Sequence, residues 1–138
     1  MPKILLDTNI LVYSVDENSI FYQKAHKILQ FSSDYAVTYS SLLEFYRVIT
    51  SRAFIGKTGE KGAKQAFDYM FDRLEVLYHT PYTHNLLSEL ITNNQTLSGK
   101  IYDFQILAQA MENGIATLYT KNTKDFPKNV LVEIVDPL

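Results

Sequence analysis

The feature that most constrains the fold is the alternation of short apolar segments with longer helical repeats along the chain. The short segments read as strands and carry almost no polar interruptions, which indicates burial on both faces. Such strands are typical of a mostly parallel sheet covered by helices on each side. We therefore predict an α/β fold in a single domain over residues 1–138. The predicted strands are residues 3–6, 35–38, 75–79, 116–120 and 131–135.

Helical periodicity is clearest between residues 63 and 74, where apolar residues recur at i, i+3, i+4, i+7, i+8 and i+11. A helix is also expected after Ser40–Ser41. Thr80–Pro81 predicts a helix start with a cap followed by proline, and Asn113–Gly114 predicts a helix end. Residues 51–58 come within one residue of a phosphate-binding loop. However, Ser51 replaces the first glycine and no strand precedes it, so we predict a flexible connector there.

The composition excludes several classes of protein. The chain has no cysteine, which rules out disulfides, thiolate metal sites and a cysteine nucleophile. Thirteen basic against fifteen acidic residues leave a net charge of −2, so a polyanionic partner would need a local basic patch or a bound metal. No apolar run reaches the roughly 18 residues of a membrane span, and no signal sequence is recognised. We expect no membrane association and a cytoplasmic location.

Four acidic residues stand at the junctions between predicted elements, where ligands bind in parallel α/β sheets. Each has a purely structural explanation when taken alone. Asp7 suits a helix N-cap, and Glu44 completes a capping box with Ser41. Asp103 suits the dipole at the start of a helix, and Asp125 suits a turn. For Asp7 the structural and functional readings are evenly balanced.

Taken together, the four acids favour a metal site. Crowded carboxylates repel, and one of them must take up a proton unless a cation lies between them. An all-oxygen donor set suits Mg²⁺ or Mn²⁺ better than zinc. Thr8 and Asn9 follow Asp7 directly and supply short polar groups that would hold its carboxylate, while Asn122 offers a neutral oxygen near Asp125. Such a site would polarise a phosphoryl oxygen and lower the pKa of a bound water.

Four ordered motifs resemble those of PIN-domain ribonucleases, and most of all the VapC-type toxins of prokaryotic toxin–antitoxin pairs. The resemblance runs nearly from end to end. Asp103 is followed by Phe104 where the family often has alanine, which alters packing and not the acidic group. The motifs are Leu5-Leu6-Asp7-Thr8-Asn9-Ile10-Leu11, Ser40-Ser41-Leu42-Leu43-Glu44, Leu97-Ser98-Gly99-Lys100-Ile101-Tyr102-Asp103-Phe104 and Leu118-Tyr119-Thr120-Lys121-Asn122-Thr123-Lys124-Asp125-Phe126.

The resemblance implies a three-layer PIN-like sandwich whose five-stranded parallel sheet has the order 3-2-1-4-5. It implies a metal site built from Asp7, Glu44 and Asp103 and supported by Thr8. The fourth position would lie around Asn122 and Asp125, and it varies within the family. Because the strand alternation alone cannot set the strand order, this order is an expectation from the resemblance.

The function implied is Mg²⁺- or Mn²⁺-dependent endoribonuclease activity, with Asp7, Glu44, Asp103 and Asp125 as catalytic and metal-binding residues. The resemblance also implies an RNA substrate, a cognate antitoxin that blocks the acidic site, and a homodimer. The alternative is a catalytically silent PIN-like module that only docks a protein or RNA partner. A haloacid-type phosphatase is disfavoured because position 9 is asparagine. A receiver is disfavoured because no acidic residue ends the third predicted strand.

Two residues beside the predicted acids have open roles. Most of the ten tyrosines fall at core-periodic positions, but Tyr102 adjoins Asp103 and is a candidate for stacking on a base. Arg47 lies one helical turn beyond Glu44, so it would either contact phosphate or pair with that acid.

Overall fold

Five short parallel strands form the centre of the molecule in the order β3-β2-β1-β4-β5. The computed structural model describes residues 3–95 and 98–138, without the side chains of residues 55–58. Leu97 of the third motif lies outside the described residues. The elements in chain order are β1 (Ile4–Leu6), α1 (Thr8–Tyr13), α2 (Tyr22–Gln30), β2 (Tyr35–Thr38), α3 (Tyr39–Ile49), α4 (Arg52–Arg73), β3 (Glu75–Leu77), α5 (Pro81–Asn93), α6 (Lys100–Glu112), β4 (Thr117–Tyr119) and β5 (Glu133–Val135).

The predicted fold class and the strand order implied by the family resemblance are both confirmed. Successive residues of a strand point to opposite faces of a sheet. Accordingly, Leu5 of β1 packs into one hydrophobic core with residues of α5 and α6, while its neighbour Leu6 packs into a second core with residues of α1 to α4. Both leucines are fully buried. The sheet therefore forms the middle layer of three, with helices on each face.

The structure confirms the predicted helix boundaries at two positions. The Thr80 hydroxyl caps α5 by accepting a hydrogen bond from the Thr83 backbone N–H, and the Thr83 hydroxyl accepts one from the Thr80 backbone N–H. Pro81 is the first helical residue. Beyond α6, Gly114 adopts a positive φ of 65°, a conformation that glycine enters at little cost. These local signals need no tertiary context, which explains why sequence alone located them.

The prediction of a flexible connector over residues 51–58 is wrong. Helix α4 runs from Arg52 to Arg73, and its regular backbone is interrupted only at Gly59, where φ is 68° and ψ is 167°. Phe54 and Ala63, on either side of that break, are both buried in the core beneath α3. Burial of apolar surface on both sides of the break offsets the roughly 1 kcal/mol that each glycine costs in a helix.

The central strands bring two chain segments to the same edge of the sheet. β1 pairs with β4 in parallel, and Leu6 lies opposite Tyr119. Asp7 and Thr120, the next residues along each strand, therefore emerge side by side. The strand order also changes direction at this point, because β2 and β3 lie on one side of β1 while β4 and β5 lie on the other. Clefts beyond such strand ends are the usual ligand sites of parallel sheets.

Candidate active site: an acidic cleft beyond β1 and β4

A cleft of about 270 Å³ opens at this edge of the sheet, and we call it the acid cleft. Three of the four predicted acids line it, together with the predicted supporting residues and three side chains that the sequence analysis did not single out. The residues are Asp7, Thr8, Asn9, Val12, Tyr13, Glu44, Val48, Asp103 and Asn122. Elements far apart in sequence thus bring their polar residues to one place.

Asp7 is the best-anchored acid of the cleft and is only 6% exposed. It is the N-cap of α1, and its Oδ1 accepts a hydrogen bond of 2.7 Å from the backbone N–H of Thr8. Its Oδ2 accepts one of 2.7 Å from the Thr120 hydroxyl and a longer one of 3.5 Å from the Asn9 amide. The capping role and the place in the cleft are therefore compatible, because one oxygen caps the helix while the other faces the end of β4.

Thr120 links the two strand ends and was not identified from sequence as a site residue. It is fully buried, and its hydroxyl accepts hydrogen bonds from the Asn9 side chain and the Asn122 backbone N–H while donating to Asp7. Asn9 in turn accepts a hydrogen bond of 3.1 Å from the backbone N–H of Lys121. The signal for Thr120 is its register opposite Asp7, which only the pairing of β1 with β4 reveals.

Glu44 occupies an interior position of α3, so the capping box with Ser41, the alternative explanation of Glu44 taken alone, does not form. The N-cap of α3 is Thr38, whose hydroxyl accepts a hydrogen bond from the backbone N–H of Ser41. Glu44 instead accepts a hydrogen bond of 3.1 Å from the Thr8 hydroxyl across the cleft. Its other carboxylate oxygen lies 3.9 Å from the Arg47 guanidinium, which is the local pairing considered from sequence.

Asp103 lies in the first turn of α6, as the sequence predicted, but its surroundings disfavour a charge. Burial first, and then the negative charges of Asp7, Asp125 and Glu44, raise its pKa to about 7, although the charge of Lys100 acts to lower it. The pKa of Asp7 is also raised, chiefly by burial and further by Glu44 and Asp125, against the lowering effect of its hydrogen bonds. The cleft therefore concentrates negative charge that the chain does not neutralise.

Asp125 lies beside the acid cleft and does not line it. It belongs to a short 3₁₀ turn at Thr123–Asp125, and its charge raises the pKa of both Asp7 and Asp103. Asn122, at the start of the same turn, does line the cleft. Within the described part of the chain, no three acidic or histidine side chains are already arranged to hold a metal ion. The identity of the fourth ligand therefore stays a prediction.

The donor chemistry of the cleft nevertheless fits a hard divalent cation. Three carboxylates and the Asn122 amide face a common space, and no sulfur or imidazole ligand is among them. Oxygen ligands of this kind suit Mg²⁺ and Mn²⁺. The raised pKa of Asp103 indicates where positive charge is lacking.

A comparison with protein-family models decides the family. The PIN domain model matches residues 4–130, which is most of the chain. The chain belongs to the PIN-domain family. No curated protein matches it.

Solved structures share the fold of this PIN domain at low sequence identity. The DNA-bound VapBC of Salmonella typhimurium has 22% identity and a TM-score of 0.71, with each chain fully covered. FitAcB of Neisseria gonorrhoeae has 15% identity and a TM-score of 0.72, with 97% of each chain covered. VapC20 of Mycobacterium tuberculosis, described as a toxin that cleaves the sarcin-ricin loop, has 16% identity and a TM-score of 0.67, with 92% of each covered. These likenesses support the fold.

Among residues 3–95 and 98–138, no helix combines the length and the apolar character that a membrane span requires. The cytoplasmic location expected from sequence stays a prediction.

Proposed function

We propose that this PIN domain is a metal-dependent endoribonuclease and the toxin of a type II toxin–antitoxin pair. The observation that carries the proposal is the meeting of Asp7, Glu44 and Asp103 in one cleft at the carboxyl ends of the central strands. Membership of the PIN family and the shared fold with a toxin that cleaves the sarcin-ricin loop support it.

Asp7, Glu44 and Asp103 would hold Mg²⁺ or Mn²⁺, with Asn122 or Asp125 completing the set. When bound, such an ion supplies positive charge that polarises a phosphoryl oxygen and acidifies a water molecule. The chain's own contribution is to fix the carboxylates: Thr120 and the Thr8 backbone hold Asp7, while the Thr8 hydroxyl holds Glu44. The raised pKa of Asp103 makes this carboxyl the one whose ionised form a bound cation would stabilise most.

A cognate antitoxin and a homodimer are further parts of the proposal. The structural neighbours include a toxin–antitoxin complex from Klebsiella pneumoniae and the VapBC of Salmonella typhimurium. An uncompensated carboxylate cluster attracts a cationic side chain, so an arginine or lysine of an antitoxin would block the acid cleft. The homodimer rests on the family resemblance alone.

Cleavage assays on single-stranded RNA with the wild type and Asp103→Asn test the proposal. We expect the wild type to cleave with Mg²⁺ or Mn²⁺ and to lose activity in EDTA. Asp103→Asn should lower the rate by at least about a hundred-fold, a typical cost of removing one group that stabilises the transition state electrostatically. Circular dichroism should show an unchanged fold.

A matched control is Asp72→Asn, an exposed acid near the end of α4 that does not line the acid cleft. This variant should cleave like the wild type. If the wild type and Asp103→Asn show the same cleavage, the observed nuclease is a contaminant and the nuclease proposal is wrong. RNA binding without cleavage by the wild type would favour the silent binding module.

A further inference from the structure

A second pocket adjoins the acid cleft between α3 and α6. Its volume is about 430 Å³, larger than that of the acid cleft and within the range of cavities that hold small organic ligands. Ser40, Leu43 and Arg47 line it from α3, and Tyr102 and Gln105 line it from α6. We call it the α3–α6 pocket.

The α3–α6 pocket and the acid cleft share Glu44 as a wall. Tyr102 lines the pocket, and the next residue along α6, Asp103, lines the cleft. A polymer whose phosphodiester lies in the acid cleft would therefore have a neighbouring unit within reach of the pocket.

The chemistry of the pocket suits a flat heteroaromatic group with polar edges. Tyr102 is 68% exposed, which leaves its ring available for stacking. The Gln105 amide and the Ser40 hydroxyl offer hydrogen-bond donors and acceptors. Arg47, at 75% side-chain exposure, supplies a cation for an adjacent phosphate.

We propose that the α3–α6 pocket binds one unpaired nucleobase of the RNA, next to the cleaved phosphodiester, and that Tyr102 and Gln105 determine which base is preferred. The proposal rests on the nuclease function proposed above. An unpaired base presents both a π face and a hydrogen-bonding edge, which is how proteins recognise single-stranded RNA. Tyr102 supplies the stacking surface, Gln105 contacts the edge, and Arg47 contacts the flanking phosphate.

A cleavage experiment on a synthetic single-stranded RNA pool with a randomised centre tests this subsite. Sequencing of the cleaved ends reports the base preference at every position around the cut, and initial rates report kcat/KM. Tyr102→Ala should lower kcat/KM between about five-fold and about a hundred-fold, the range for loss of one stacked base. It should also flatten the preference at one position beside the cut.

Two conservative variants and one control separate recognition from structural damage. Tyr102→Phe keeps the ring and should retain both rate and preference. Gln105→Ala should change the preferred base at the same position with a smaller loss of rate. The control is Tyr82→Ala, which removes a comparably exposed ring from α5 that lines neither the pocket nor the acid cleft, and it should behave as wild type.

Unchanged preference and rate in Tyr102→Ala would overturn the subsite. An equal loss of rate for all bases would also overturn it, because Tyr102 would then act only through Asp103. Sedimentation velocity provides a further test: if Tyr102→Ala converts a dimer to a monomer without altering base preference, the pocket is a contact between copies of the chain and the subsite is wrong.

Binding by the Asp103→Asn variant keeps this test separate from the nuclease proposal. Labelled single-stranded oligoribonucleotides of each base should bind Asp103→Asn with different affinities, and adding Tyr102→Ala should remove those differences. Base-dependent binding that is lost in this way supports the subsite even where cleavage proves independent of Asp103. Equal affinities for all four bases would contradict it.

Discussion

The acid cleft has two halves, the end of β1 with Asp7 and the first turn of α6 with Asp103. They differ in the hydrogen-bond donors that they provide for a buried carboxylate. Asp7 is almost fully buried, yet it accepts hydrogen bonds from the Thr8 backbone, Thr120 and Asn9. Among the described residues, no hydrogen-bond donor reaches the Asp103 carboxylate, and its pKa rises to about 7. Both sites desolvate an acid, but among the side chains and backbone groups that the structure describes, donors reach the one at the strand end and not Asp103.

The difference indicates that the two halves of the cleft have different roles. The strand side is organised by the fold itself, because hydrogen bonds to the ionised form compensate for lost hydration. The helix side leaves its negative charge uncompensated, which is the condition that favours uptake of a proton or a cation. We infer that the β1–β4 side holds Asp7 in place and that Asp103, on the α6 side, responds most to the binding of a proton or a cation.

Removing the support of Asp7 should have the largest effect on stability. Thr120→Val deletes the hydroxyl at the centre of the strand-end network while keeping the side-chain shape, and it leaves a buried carboxylate oxygen short of a donor. We expect a loss of about 2 kcal/mol in the free energy of unfolding, measured by urea denaturation. Thr117→Val, at the start of β4 and away from the cleft, should change it by less than about 0.5 kcal/mol. Equal losses in the two variants would show that the network adds no stability.

Removing the hydrogen bond between Thr8 of α1 and Glu44 of α3 should have an intermediate effect. Thr8→Val removes the hydroxyl that donates to Glu44 but leaves the backbone N–H that holds Asp7. The expected loss is about 1 kcal/mol, the usual net worth of one hydrogen bond, in the same denaturation assay. A loss as large as that of Thr120→Val would contradict the view that the support of Asp7 comes mainly from the end of β4.

The third effect is the pH dependence that Asp103 confers on the stability of the metal-free protein. Its folded-state pKa of about 7 lies above the ordinary 3.8, so the folded state binds more protons between these values. Stability from this group therefore falls as the pH rises from 3.8 to about 7 and is level above that. Partial exposure of the carboxyl screens the effect.

Denaturation in EDTA at pH 5 and pH 8 measures this pH dependence. The wild type should be less stable at pH 8 than at pH 5, and Asp103→Asn should reduce the difference. Some dependence should persist in the variant, because the pKa of Asp7 is also raised. An Asp103→Asn variant with the full wild-type dependence would show that Asp103 is not the uncompensated acid.

Local signals in the sequence predicted much of this molecule, and long-range pairing explains what they missed. The apolar strands and the Thr80–Pro81 cap are properties of a few neighbouring residues, so they were predictable. The strand order came from the family resemblance. Helix α1 has only six residues, too few for a periodic pattern, and Thr120 becomes a site residue only through the pairing of β1 with β4. Glycine-rich α4 depends on burial in the core, which composition does not report.

In the candidate site, too, the sequence predicted what depends on local signals and missed what depends on tertiary contacts. Asp7, Glu44 and Asp103 were selected as acids at element junctions, and the structure brings all three to one cleft. The partners of these acids depend on tertiary structure: Glu44 bonds to Thr8 and does not complete a capping box. The sequence could not choose between Asn122 and Asp125 for the same reason; in the structure Asn122 lines the cleft and Asp125 lies beside it.

The central claim, that the acid cleft binds a divalent cation, is tested most directly by anomalous diffraction at the manganese edge from crystals soaked in MnCl₂. The account predicts an anomalous peak between the carboxylates of Asp7, Glu44 and Asp103, and its absence from Asp103→Asn crystals treated in the same way. The account would be contradicted if soaked wild-type crystals showed no peak in the cleft, or if the Asp103→Asn crystals showed a peak of equal height.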